Sequence, residues 1–227
     1  MRDRNRKGKS GEREHKKKER EVKDNASQPK SLYSLFTNKC SKEDKSFTER
    51  EEMVVKEYSS EMEEFLRHLY DEGYFRDANF LPSNKFDISS FENGYACNFL
   101  KFAAEMFGKD KQEIAKWLSG SDLKTVALFG CPSLARRNVF AAKRLRTFFH
   151  ISENTVCGKC NLADSCKFKN QSVWKGDTGS LNLSSIMRLL IIYATEAVSP
   201  PLVLSDDVKA CIGRLIKDAI KLSKTVR

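Results

Sequence analysis

Three cysteines fall within ten residues, Cys157-x2-Cys160-x5-Cys166, and no other feature constrains the fold of this 227-residue chain as tightly. A C-x2-C knuckle lets two sulfurs converge on one ion, Gly158 permits the tight turn between them, and Cys166 returns to the same centre after a short loop. Seven cysteines are present in all: Cys40, Cys97, Cys131, Cys157, Cys160, Cys166 and Cys211. An odd number crowded in this way is unlike a secreted disulfide framework and points to a metal site in a reducing compartment. Three thiolates need a fourth partner. Cys131 is the first choice, because Gly130-Cys131-Pro132 interrupts the chain between helices, where a side chain can turn inward. His150, at the end of the helix leading into the knuckle, is the second. Cys97 and Cys211 fall on apolar helix faces and read as inert core thiols.

Zn2+ is the expected ion and a [4Fe–4S] cluster the alternative. Structural zinc sites pair cysteines two to four residues apart, which makes the gap before Cys166 slightly long. Four thiolates suit the cluster equally well. The C-x2-C-x5-C ending resembles the iron–sulfur loops of endonuclease-III-type glycosylases and Cas4-like nucleases. The catalytic carboxylates or lysines of those families have no recognisable counterpart here. Asp206 and Asp207 are adjacent but sit at a helix start, where the dipole accounts for them. Four protein ligands leave no open coordination position, so either group is structural and the chain reads as non-enzymatic.

The rest of the sequence carries helical spacing. Thr48-x-x-Glu51 is a capping box that opens a helix bearing Val54, Tyr58, Met62, Phe65 and Leu69, with Gly73 as its stop. A second helix starts near Ser90, with Phe91, Tyr95, Phe99, Phe102 and Met106 on one face and Gly108 closing it. Short helices follow around Ile114, Trp117 and Leu118, and from the cap candidate Ser121 through Leu123, Val126 and Ala127 to Gly130. A longer one runs from Ser133 to His150. Residues 186–197 form a nearly all-apolar, central helix. The last helix is capped by Ser205 and buries Val208, Ile212, Leu215, Ala219 and Leu222. No period-two alternation stands out. The expectation is an all-α protein: a compact helical domain at 46–227, stapled by the knuckle at 157–166, behind a disordered basic tail and linker at 1–45. The longest apolar run, residues 189–194, is six residues long. A membrane-spanning helix needs roughly 18, so an integral helical membrane protein is excluded.

Charge suggests the partner. The net charge is +10. Residues 1–30 hold twelve Lys/Arg against six Asp/Glu, and residues 131–175 hold nine against two, on an otherwise slightly acidic chain. Two such zones fit a polyanion, most simply nucleic acid. Residues 1–30 have too few apolar side chains to offset ordering entropy. Their clusters (Arg2, Arg4, Arg6, Lys7; Lys16, Lys17, Lys18, Arg20) suit a nuclear address or a nucleic-acid arm. No apolar signal segment is read there, and Glu12, Glu14, Glu19 and Glu21 run against a transit peptide. Along the helix after Ser133, Arg136, Arg137, Lys143 and Arg144 form a polar side with Phe140 in its middle. Leu134, Ala141, Leu145, Phe148 and Phe149 fall opposite. Arginine forks around an exposed aromatic suit phosphate contacts plus base stacking.

Residues 130–194 also carry an ordered pattern: Gly130-Cys131-Pro132-Ser133-Leu134, then Ala142-Lys143-Arg144-Leu145-Arg146, the knuckle, and Met187-Arg188-Leu189-Leu190-Ile191-Ile192-Tyr193-Ala194. It resembles the helical region of plant organelle zinc-finger proteins, including the chloroplast variegation type and the organelle RNA-editing factors. The resemblance spans residues 50–225 and implies Cys131, Cys157, Cys160 and Cys166 as a set of four. Those proteins also carry Ran-binding-type fingers built from two close cysteine pairs. This chain has no second pair, so it resembles the helical module alone and the fingers' activity is not carried over.

The function expected from these readings is an accessory or adaptor protein of organelle RNA editing or processing, in chloroplast or mitochondrion. It would bind RNA-associated protein partners, partly through an acidic amphipathic helix at 48–70, and touch RNA through Arg136, Arg137, Phe140, Lys143 and Arg144. The alternatives are an iron–sulfur nucleic-acid enzyme and a nuclear nucleic-acid-binding protein.

Overall fold

The computed structural model describes residues 57–82, 85–171, 179–195, 198 and 202–225. The tail at 1–45, Cys40, and the capping box at Thr48 lie outside them. Among the described residues there are α-helices and short 3-10 turns and no strand, as the spacing predicts. None of these helices is long and apolar enough to cross a membrane.

Helix α1 covers Ser60–Asp71. Its cap is Ser59, whose hydroxyl accepts the Met62 N–H at 3.3 Å, and Glu61 and Glu63 occupy the first turn. Residues 57–59 are not helical, so no continuous helix runs from Thr48 to Leu69. Gly73 is the stop, at φ 83. The Gly73 N–H bonds the Tyr70 carbonyl and the Tyr74 N–H the Leu69 carbonyl, a Schellman closure that requires a left-handed residue.

Helix α2, Gly94–Asp110, departs from the sequence reading in which face it buries. The buried side is Ala96, Cys97, Leu100, Ala103, Ala104 and Phe107, whereas Tyr95 is 56% and Phe102 55% exposed. Small residues line the buried side because another helix comes close. Gly108 shows how close: it does not end the helix, and a Cβ there would meet the Ser184 Cα and N at 2.6 Å. Gly108→Ala is therefore expected to destabilise the protein by about 1–3 kcal/mol despite alanine's better helix propensity. The readout is the urea midpoint, and an unchanged or higher midpoint would show that these backbones are not in contact.

A 3-10 turn, Ile88–Phe91, precedes α2 and another, Gln112–Trp117, follows it. Helix α3 is Gly120–Phe129, capped by Ser119 and not by Ser121. Helix α4 is Arg136–Phe148, shorter at both ends than Ser133–His150, and the short α5 is Glu153–Cys157. Helix α6, Leu183–Ala194, is buried nearly all round and packs against α2, α4 and the final helix α7, Asp206–Thr225. Its position at the centre follows from its apolar circumference. Helix α7 covers α1 and α3, and buries Val208, Ile212, Leu215 and Ala219, with Leu222 half-buried. Arg214 on α7 clasps Asp122 on α3 with two hydrogen bonds, 3.0 and 2.7 Å.

One buried polar contact makes the α1–α7 junction pH-sensitive. His68 Nε2 lies 2.9 Å from the Ser223 hydroxyl, which itself donates to the Ile220 carbonyl. Nε2 must then carry the proton and donate. Burial pushes the His68 pKa down, Glu72 and Asp71 opposing and Lys224 and Lys111 assisting. A neutral buried imidazole contributes stability that is present above about pH 6.5 and lost as pH falls below it. The urea midpoint is expected to fall between pH 7 and pH 5, and less steeply in His68→Gln. Equal slopes would place the titration elsewhere.

Candidate functional site

The cysteines are positioned from the core outward. The Tyr193 hydroxyl on α6 donates to the Gly130 carbonyl at 2.8 Å, and the Tyr193 ring packs on Phe129. Gly130, at φ 131, then turns Cys131 away from α3. Buried Val156 lies against Gly130, which brings α5 and Cys157 to the same place. Gly158 has ordinary right-handed angles, φ −66 and ψ −22, so its value is not a left-handed turn. A Cβ there would sit 2.7 Å from the Asn154 carbonyl oxygen.

Arg146 is the centre of this region. It is fully buried, and one terminal nitrogen donates both to Cys131 Sγ at 3.5 Å and to Glu153 Oε2 at 3.2 Å. Its Nε and Nη1 are buried without a hydrogen-bond partner. Cys157 Sγ donates to the same Glu153 carboxylate at 3.5 Å. Burial pushes the Cys131 thiol up, Arg146 pulls it down, and charge on Cys160 or Cys166 would push it up again. For Cys157, burial also raises the pKa, Arg146 lowers it, and Glu153 and Cys131 oppose its ionisation. The four thiols thus share one electrostatic neighbourhood. Each is free and half-buried, while Cys97 and Cys211 are buried, as the sequence predicts, Cys97 donating to the Phe91 carbonyl at 3.3 Å and Cys211 accepting from Arg214 at 3.2 Å. His150 is exposed, in a left-handed turn at φ 53.

Among the described residues, no group of three or more His, Cys, Asp or Glu side chains is arranged to hold a metal ion. The donor set nonetheless fits one chemically. A tetrathiolate around Zn2+ or an iron–sulfur cluster carries net negative charge, and a buried guanidinium with two unsatisfied nitrogens is its natural counter-ion.

The basic side of α4 is divided differently from the periodicity's stripe. Arg136 and Arg137 are exposed and Arg144 is half-buried. Lys143 is not on that surface: it is 2% exposed, and its ammonium donates to the Gln171 carbonyl at 2.7 Å and the Lys169 carbonyl at 3.3 Å. A further pairing with Glu153 at 3.7 Å completes its surroundings. Desolvating an ammonium is costly, and these acceptors are what make burial tolerable. Phe140 packs edge-on against Phe168, ring centroids 5.8 Å apart, with the Arg136 guanidinium 5.6 Å from its ring. The cysteine loop is therefore docked on α4 through Phe168 and through two of its carbonyls. Ala141 and Leu145 face the core as expected, while Leu134, Phe148 and Phe149 are only half-buried.

Periodicity misses Arg146, Phe168, Glu153 and Arg188. Arg188 on α6 donates to Asn138 Oδ1 at 2.9 Å and pairs with Glu105, which also pairs with Arg137 at 3.2 Å. The alternation of Arg and Lys with Leu in residues 142–146 is the one signal that could have marked a cation on the inner side of α4.

No family model, curated protein or solved structure matches the chain.

Proposed function

We propose that this chain is a non-enzymatic accessory module of organelle RNA metabolism, in chloroplast or mitochondrion. A metal bound by Cys131, Cys157, Cys160 and Cys166 would staple a basic helical face that touches RNA, while the module docks on RNA-bound protein partners. Zn2+ is the favoured ion and a [4Fe–4S] cluster the alternative. When bound, the metal supplies cross-linking and charge, not chemistry on a substrate.

The observation that carries the reading is the physical link between the cysteine loop and α4. Phe168 holds Phe140, and the carbonyls of Lys169 and Gln171 hold Lys143. A staple at the thiols would thus fix the helix that presents Arg136, Arg137 and Arg144. Lys143 contributes by anchoring the loop rather than by meeting phosphate, and Phe140 forms part of the wall beside the cations. The resemblance to organelle RNA-editing zinc-finger proteins supplies the compartment and the kind of partner.

Charge reversal tests it. Arg136→Glu with Arg137→Glu, two exposed positions, is expected to weaken binding of a single-stranded RNA about tenfold or more at 50 mM salt. The dependence of log affinity on log salt should flatten by about 0.7 per lost phosphate contact. Fluorescence anisotropy reads both quantities, and unchanged affinity would remove RNA contact from the proposal.

A further inference from the structure

A cleft of about 410 Å³ opens where the end of α2, the outer side of α4 and the first turn of α6 meet. That volume lies within the range of small-ligand sites, about 300–1,000 Å³. Four cations border it, Lys109, Arg137, Arg144 and Arg188, against one carboxylate, Glu105. They come from three helices, so no single periodic stripe contains them.

The cations are not equivalent. Arg188 is 19% exposed and fixed on two sides by Asn138 and Glu105, so its guanidinium is already oriented. Glu105 is shared between Arg188 and Arg137, which leaves the pair with net positive charge. Among the described residues Arg144 has no ion pair with a carboxylate, and the Lys109 ammonium donates to the Met106 sulfur at 3.8 Å. Phe140 forms part of the wall, and Ser184 and Ser185 line the side formed by α6. A pre-oriented guanidinium, two cations with no carboxylate partner among the described residues and an aromatic wall in one concave site are the elements that hold a phosphate together with its nucleoside.

We propose that this cleft is a phosphate subsite for one nucleotide unit of single-stranded RNA bound across α4. The proposal rests on the RNA reading above and deepens it, adding Lys109 and Arg188 to the contact set. The close approach of α2 and α6 at Gly108 and Ser184 is what brings Lys109 to the same opening as Arg144.

The test uses the full chain and a fluorescein-labelled, mixed-sequence 12-nucleotide single-stranded RNA, followed by anisotropy at 50 and 200 mM salt. Lys109→Ala and Arg144→Ala are each expected to weaken binding about 3–10-fold at 50 mM and to reduce the salt slope by about 0.7. Ser184→Glu, which puts an anion in the cleft, is expected to weaken it more than tenfold. Lys221→Ala, an exposed lysine on α7, is the control and is expected to change nothing; melting curves confirm that every variant folds. If wild type binds RNA, Arg136→Glu, which lies outside the cleft lining, weakens it and the Lys109, Arg144 and Ser184 variants do not, the cleft is not part of the contact and the proposal falls alone. If wild type does not bind RNA at all, the underlying reading falls with it. Inorganic phosphate displacing RNA at equal phosphate concentration would make a free phosphate the ligand and overturn the RNA assignment. Displacement by a Glu-rich peptide at equal charge would overturn it in favour of an acidic protein segment.

Discussion

Cys131→Ser is expected to lower the metal content of the purified protein and to reduce its melting temperature by about 5–20 °C. Structural zinc in small sites contributes roughly 10–16 kcal/mol of apparent binding energy. Losing one ligand of four should cost about a quarter to a third of that. In a domain of this size each kcal/mol corresponds to about 2–4 °C. The size of the effect separates a ligand from an ordinary thiol. As an unliganded side chain, Cys131 only accepts a hydrogen bond from Arg146 at 3.5 Å, a role that a serine hydroxyl can fill at little cost. Cys211→Ser provides the comparison: that thiol is buried between α7 and its neighbours, so its loss should alter stability modestly and leave metal content intact. Elemental analysis with an absorbance spectrum separates zinc from an iron–sulfur cluster. Full metal content and an unchanged melting temperature in Cys131→Ser would end the four-thiol assignment. Chelation should also weaken RNA binding, because the loop that holds Phe140 and Lys143 is released.

The helices were readable wherever large apolar residues recur on the face that is buried, as in α1, α6 and α7. Periodicity assigns the wrong buried side to α2 because bulky residues dominate the pattern. Its aromatics, Tyr95 and Phe102, stand outward, and the buried side is built from alanines, a cysteine and a glycine that let α6 approach. Cap positions shifted by short distances where two candidates compete, as at Ser119 against Ser121, because the choice depends on packing beyond the helix end. Sequence position separates the half-buried Cys131, Cys157, Cys160 and Cys166 from the buried Cys97 and Cys211, but it does not mark the two buried cations of α4. A helical wheel assigns charge to solvent, and only the partners of Lys143 and Arg146, which lie 7–28 residues away along the chain, reveal that both point inward.

Arg146→Met is expected to lower metal affinity about 10–100-fold while changing the stability of the metal-free protein far less. The two halves of this expectation have separate causes. In the metal-free protein Arg146 is a guanidinium of zero exposure whose Nε and Nη1 lack partners and whose carboxylate partner among the described residues, Glu153, is 36% exposed. Burial works against its charge, and Cys131 and Glu153 outweigh it. A buried ion so incompletely satisfied contributes little net stability, and an apolar residue of similar length relieves its desolvation. With four thiolates assembled on an ion, the same guanidinium becomes the counter-charge of the centre. Its removal then leaves excess negative charge in a half-buried site. Glu153 sharpens the contrast, because without Arg146 it faces the thiolates with Lys143, at 3.7 Å, as its remaining cation. The measurement is a thermodynamic comparison: metal competition with a chromophoric chelator, and melting curves with and without metal. If Arg146→Met destabilises both forms equally and leaves metal affinity unchanged, Arg146 is a core element of α4 with no part in holding the metal.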